Sequence, residues 1–161
     1  MTSACDGKGL VLSVVDRNAV IETAGRLAWC IDERRWAELA PLFTDPFEID
    51  YTSIFGGRPA TVTPAQMVAN SERLIGNLTA TQHLIGSFLV EGHGDQAMCL
   101  SMVQATHYLA TRTGDGTWTV GAQYHMEMRR ETGAWRINSL RAVLQWATGN
   151  REIMRLGKLP I

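Results

Sequence analysis

The sequence predicts an α+β domain in which a curved antiparallel sheet wraps a group of N-terminal helices into a cone. Three observations carry this: helical apolar spacing comes first, mainly before Ile75, four strand-like segments follow, and Gly-bearing hairpin turns join them.

From Asp16, read as an N-cap, Val20, Ile21, Ala24, Leu27, Ala28 and Ile31 recur at helical spacing. Trp36, Leu39, Ala40 and Phe43 continue the stripe in "RRWAELAPLF", so the chain opens with two short helices or one bent helix. "DPF" ends that run, and "FEIDYT" then alternates Phe47, Ile49 and Tyr51 with Glu48, Asp50 and Thr52, a strand with its apolar face inward. "SIFGGRPATV" is a Gly/Pro loop. "TPAQMVANSERLIGN" has a Thr cap, a Pro at the first helical position and apolar spacing through Met67, Val68 and Leu74, which predicts a third helix. Strands follow at 80–91, 96–112, 117–130 and 134–147, with turns "EGHGD", "RTGDGT" and "RETGAW" between them. A single domain spans 1–161, with 1–15 a flexible arm and 149–161 a tail whose short amphipathic helix covers the open mouth of the sheet.

With 161 residues, 45% of them hydrophobic, the chain can bury one continuous core. A net charge of −1 and the lack of any Lys/Arg run argue against nucleic acid and against an anionic membrane surface. No stretch approaches the roughly 20 apolar residues of a membrane helix, and the N-terminal apolar run is too short for a signal peptide. Cys5, Cys30 and Cys99 are odd in number and lack C-x-x-C spacing, which fits a reducing, cytoplasmic setting.

The chemistry depends on which polar side chains point inward. Asp32 lies at helical spacing from Ala24 and Ala28, so it either extends the apolar stripe as an interior carboxylate or caps the second helix; the pattern alone leaves both open. His83, in "TATQHLIG", shares a strand face with Thr81, Ile85, Ser87 and Leu89, while Leu84, Phe88 and Val90 occupy the other, so both faces read as covered. A lone His there is more often a hydrogen-bonded core residue than a catalyst. His107 shares an apolar face with Val103, Ala105 and Leu109 and points inward. His93 falls in a turn, and His125 sits opposite the apolar face that carries Trp118, Val120, Ala122, Tyr124, Met126 and Met128.

Asp32, His83, His107, Tyr51 and Tyr124 therefore converge in one apolar interior and make an acid/base site: an imidazole can take and return a proton near neutral pH, a buried Asp fixes its tautomer, and phenols can hold a developing enolate. A His–His–Asp facial metal triad is the rival, but the sequence has no helical H-x-x-x-H or H-x-x-E pair, and we expect no metal. G-x-S-x-G and Gly-rich phosphate loops are also missing.

At these residues the chain resembles scytalone dehydratase and its bacterial relatives in the SnoaL-like, or nuclear transport factor 2-like, superfamily of α+β barrels. "IDERRW" resembles the segment with the catalytic Asp four residues before a Trp, "IDYTS" follows at the family's spacing, "TQHLIG" resembles the strand of the main catalytic histidine, "MVQATHYLAT" places His107 at the second, and "RRETGAW" resembles the last hairpin. The resemblance implies that His83 is the general acid/base, that Asp32 orients it, that His107 assists and that Tyr51 polarises the substrate. It also favours an interior, paired Asp32. Where the family has a second Tyr before the aspartate this chain has Ile31, and Ala122 and Tyr124 replace a Ser and an Asn. These departures set the substrate apart from scytalone and leave the His–Asp pair intact.

The expected activity is that of a cofactor-independent lyase, dehydratase-like, acting on a small hydrophobic substrate of aromatic or polyketide type. Tyr124, Phe55, Met67, Met126, Asn138 and Trp146 are the expected substrate-binding residues. Alternatives are an isomerase or polyketide cyclase, a carbon–carbon lyase on lignin-derived aryl compounds, and a non-catalytic small-molecule binding module. The family also suggests a homo-oligomer, dimer or trimer, built on the outer face of the sheet.

Overall fold

A computed structural model describes residues 11–112 and 114–156. The first helix, α1 (Val14–Asp32), starts earlier than expected, because Ser13 and not Asp16 is its cap: Ser13 Oγ accepts the Asp16 N–H at 3.0 Å. Asp16 instead sits in the first turn, where a carboxylate suits the helix dipole. Val20, Ala24, Leu27, Ala28 and Ile31 are buried as the spacing predicts. Burying side chains such as Val20 and Leu27 is worth about 1.5–3 kcal/mol each. A turn at Arg34 (φ +56°) separates α1 from α2 (Trp36–Leu39) and a single 3-10 turn (Ala40–Leu42), so two helices form here.

The helical run ends at Leu42, and β1 (Phe43–Asp50) begins four residues before the expected Phe47, crossing "TDPF" with a cis Asp45–Pro46 peptide and a shift of register against β6 between Phe43 and Glu48. Phe43 and Phe47 stack at 4.2 Å between ring centroids and anchor it in the core. The segment read as a Gly/Pro loop contains two small elements. Asp50 accepts from the N–H and hydroxyl of Thr52 and so starts α3 (Thr52–Phe55), and β2 (Ala60–Val62) pairs antiparallel with β1. The third expected helix is α4 (Pro64–Ile75), held at its start by a reciprocal Thr63–Gln66 capping box.

The last four strands are β3 (Ala80–His93), β4 (Gln96–Tyr108), β5 (Thr117–Glu131) and β6 (Ala134–Gly149). Thr132 (φ +50°) and Gly133 (φ +85°) form the two-residue turn joining β5 to β6. The sheet order is β2-β1-β6-β5-β4-β3. Because β1 runs parallel to β6, the sheet is mixed and not wholly antiparallel, and it remains open with β3 at one edge. The chain leaves β1 through α3, β2 and α4 before the meander begins, and the meander's last strand returns in the same direction as β1.

Bulges between Gly86 and Leu89, Gly121 and Ala122, and Glu127 and Met128 curl this sheet around α1. The first bulge also corrects an expectation. Ser87 adopts φ +53° and adds one residue to β3, so Thr81, His83 and Ile85 face inward before it, and Phe88 and Val90 after it. Leu89 is consequently 65% exposed, and Leu84 is 59% exposed, so the outer face of β3 is uncovered.

Part of the expected arm, residues 1–10, lies outside the described residues; from there Val11 bridges to His93 and Val14 begins α1. Of the tail, α5 (Ile153–Leu156) buries Ile153 and Met154, and residues 157–161 lie outside the described part. Among the described residues no helix is long and apolar enough to cross a membrane.

Candidate active site

Asp32 is the last residue of α1, and the burial of Leu27, Ala28 and Ile31 turns its carboxylate toward the edge strand β3. There it is paired, not capping. Oδ1 lies 2.7 Å from His83 Nδ1 and accepts from the Thr81 hydroxyl at 2.9 Å, and Oδ2 accepts the His83 backbone N–H at 2.7 Å. An edge strand leaves alternate N–H groups without a strand partner, and the carboxylate satisfies one of them. Both side chains are secluded, with 9% of His83 and 15% of Asp32 exposed.

Burial pushes the Asp32 carboxyl toward protonation, but the bonds from the His83 side chain, its charge and backbone, and Thr81 outweigh this and hold the carboxyl below the usual range. Asp32 therefore stays a carboxylate. A carboxylate only accepts, so His83 Nδ1 carries its hydrogen toward Asp32 and the free lone pair is on Nε2.

His107, from β4, is buried with its ring 5.7 Å from that of His83 and nearly perpendicular to it. Its Nδ1 lies 3.3 Å from the Trp118 carbonyl, which can only accept, so Nδ1 holds the proton here too. Burial first, and then the charge of His83, lower the His107 pKa to about 4. His107 is thus a neutral imidazole with Nε2 as acceptor.

Tyr51 follows β1, and Tyr124 comes from β5; their ring centroids are 6.4 Å apart. Burial raises Tyr124 to about 12, and burial and the neighbouring Tyr124 phenol push Tyr51 well above its ordinary value. Both remain neutral donors. Phe55, at the end of α3, packs edge-on to Tyr51 and 6.1 Å from Trp118.

His83, His107, Tyr51, Tyr124, Phe55 and Met67 line one cavity, whose empty space is about 630 Å³ with its mouth included. Its other walls are aliphatic or aromatic, including Ile31, Ile54, Leu74 and Trp118, with Ser71 on α4 the remaining polar group. Ile54, Ser71 and Trp118 were not anticipated as site residues. Trp118 was readable, since it begins the inward face of β5; Ser71 was not, since a polar residue in α4 reads as solvated.

Asp32 does not line this cavity itself and stands behind His83, and three expected substrate-binding residues are not brought to the cavity. Met126 is fully buried in the core beyond Tyr124. Asn138 borders a separate groove with Glu91, Met98 and Glu127. Trp146 is 47% exposed on the outer face, its indole lying over Gly121. The β6 bulge beside Gly121 shifts the alternation that would have turned position 146 inward. Among the described residues, no three His, Cys, Asp or Glu side chains are grouped to hold a metal ion.

An open cone of mixed sheet, backed by helices, with an apolar cavity lined by a histidine that a carboxylate holds from behind, defines a small pocket domain of the α+β cone class. The sequence matches the SnoaL-like domain over residues 13–141, and the chain belongs to that family. No curated protein sequence matches. Among solved structures, the Kfla4162 protein of Kribbella flavida is similar at 29% identity and TM-score 0.84, over 88% of this chain and 97% of that one. A candidate scytalone dehydratase of Novosphingobium aromaticivorans superposes with TM-score 0.72 at 17% identity, over 86% and 89% of the two chains. A hexachlorocyclohexane dehydrochlorinase, LinA type 2, does so with TM-score 0.72 at 18% identity, over 85% and 90%. The last two likenesses are of fold.

Proposed function

We propose that the protein is a cofactor-independent lyase of dehydratase type, in which His83 is the general acid/base and Asp32 its orienting partner. The observation that carries this reading is the 2.7 Å contact between His83 Nδ1 and Asp32 Oδ1, which leaves Nε2 as the basic nitrogen of a ring that lines the cavity. Nε2 takes a proton from carbon next to a carbonyl, Asp32 stabilises the imidazolium formed, and the Tyr51 or Tyr124 phenol donates to the developing enolate oxygen. As the enolate collapses and the β carbon–oxygen bond breaks, the imidazolium returns the proton to the departing hydroxyl. Water leaves and His83 is neutral again.

His107 assists as an acceptor. With Nδ1–H on a carbonyl and burial disfavouring its charge, it accepts a hydrogen bond from a substrate hydroxyl. The apolar walls suit a small hydrophobic substrate, aromatic or polyketide-like. The dehydratase and dehydrochlorinase names of two similar structures favour elimination.

Mass analysis of products from a panel of hydroxylated aromatic ketones and lignin-derived diols tests this. Loss of water supports it. An unchanged mass would show an isomerase or cyclase, loss of formaldehyde a carbon–carbon lyase, and binding without turnover a binding module.

Trp29, Leu84, Leu89, Met102 and Trp146 are exposed, most of them on the outer face of the sheet, and we propose a homo-oligomer through that face. Light scattering on the wild type and Leu84→Glu measures it, and a monomeric wild type refutes it. Cys30 and Cys99, both buried free thiols, go with the cytoplasmic setting we propose.

A further inference from the structure

Arg34 occupies the turn after α1 at φ +56°, and its guanidinium is committed to four acceptors. Nη1 shares its two hydrogens among the carbonyls of Ile31 (2.8 Å) and Asp32 (3.0 Å) and Thr81 Oγ1 (2.9 Å), and Nη2 donates to the Ile75 carbonyl (3.2 Å). One side chain thus ties the C-terminal ends of α1 and α4 to the edge strand that carries His83.

The direction of each bond matters more than the number. A guanidinium only donates, so Thr81 Oγ1 must accept from Arg34, and the one proton of that hydroxyl goes to Asp32 Oδ1, 2.9 Å away. Oδ1 then receives Thr81 and His83 Nδ1, and Oδ2 receives the His83 N–H. Every bond in the chain Arg34, Thr81, Asp32, His83 has one possible sense.

We infer that Arg34 and Thr81 are positioning residues that fix the orientation and the ionised state of Asp32, and through it the Nδ1–H tautomer of His83. The inference rests on the acid/base reading of that pair but concerns the resting protein. A residue that only capped α1 would affect stability and leave the ionisation of Asp32 alone.

Other groups facing the pair are His107 from β4, Tyr124 from β5 and Tyr51 after β1, which are neutral donors or acceptors near pH 7; among them Arg34 supplies the fixed positive charge. Thr81→Val and Arg34→Met should therefore weaken the same two properties by different routes, whereas Thr81→Ser should preserve both.

The test is nuclear magnetic resonance on the full chain without substrate, with carboxyl carbons and histidine nitrogens labelled and His83 and Asp32 assigned from His83→Ala and Asp32→Asn. Thr81→Val and Arg34→Met are expected to raise the Asp32 midpoint by about one unit and, by letting the carboxylate turn away from Nδ1, to give His83 a mixture of tautomers. Thr81→Ser should match the wild type. An unmoved Asp32 midpoint, or a single His83 tautomer, in folded Thr81→Val and Arg34→Met overturns the inference. If Arg34→Met does not fold, Thr81→Val against Thr81→Ser decides it. Since no turnover is measured, failure of the lyase reading in the product assay is a separate result.

Discussion

Asp32 and His83 are joined twice: one carboxylate oxygen meets the ring Nδ1 at 2.7 Å, and the other takes the backbone N–H of the same residue at 2.7 Å. The second bond fixes the carboxylate to the strand as well as to the ring. A rotation of the imidazole that kept the first bond would have to carry the carboxylate away from the second.

Asp32→Asn should therefore remove both the charge and the tautomer control. Turnover on the substrate found by product analysis is expected to fall by about a thousandfold or more, as in other acid/base pairs that lose their carboxylate. His83→Ala should be at least as damaging, while circular dichroism of both variants stays that of the wild type. Full activity in both would refute the site.

Acid should destabilise the fold through His107. Its pKa falls from 6.5 unfolded to about 4 folded, so between those values the unfolded chain binds the extra proton. Stability is then complete above about pH 6.5 and declines as pH falls toward 4, by at most roughly 3 kcal/mol. Asp32, lowered in the folded state, adds a further loss only as pH drops below its unfolded value of 3.8. Urea titrations should show a flatter pH dependence between 6.5 and 4 for His107→Gln; parallel curves would contradict the assignment.

The phenols should act as neutral donors. Tyr51→Phe and Tyr124→Phe keep the ring packing and remove the hydroxyl, and one of them is expected to lower kcat by about 10²-fold, the scale of a lost oxyanion donor. Because both pKa values are raised, neither tyrosine should give the wild-type rate profile an inflection below pH 10. Wild-type kinetics in both variants would remove the phenols from the mechanism.

On the outer face, a Cβ at Gly121 would fall on the Trp146 indole. Gly121→Ala is expected to cost about 1–3 kcal/mol in chemical denaturation. Trp146→Ala in the same chain should recover most of that, and equal losses with and without Trp146 would show that the glycine is needed for the backbone instead.

Much of this site was legible as alternation. His107 faces inward on β4 and Tyr124 on β5 because strand side chains alternate and their apolar neighbours mark the inner face, whereas on β3 both faces read as covered and the structure shows that Thr81, His83 and Ile85 face inward. The same rule failed where the backbone inserts a residue. The Ser87 bulge reverses the faces of β3 beyond Gly86, and the bulge at Gly121 leaves Trp146 outside; each lies beside a glycine inside a strand, a signal that the alternation alone passes over.

By itself the sequence determined the order of the longer helices and strands, the Thr63 cap, the hairpin turns and the inward face of His107, because these follow from local propensity and periodicity. Tertiary structure decided the rest: that β1 lies parallel to β6, that Asp32 turns to the edge of β3 and not to the head of α2, and that Arg34 and Thr81 stand behind it. The reason is distance along the chain. Asp32 and His83 are 51 residues apart and Arg34 and Thr81 are 47, and each pair meets only because α1 packs its apolar stripe against the sheet, leaving buried polar groups that must find one another.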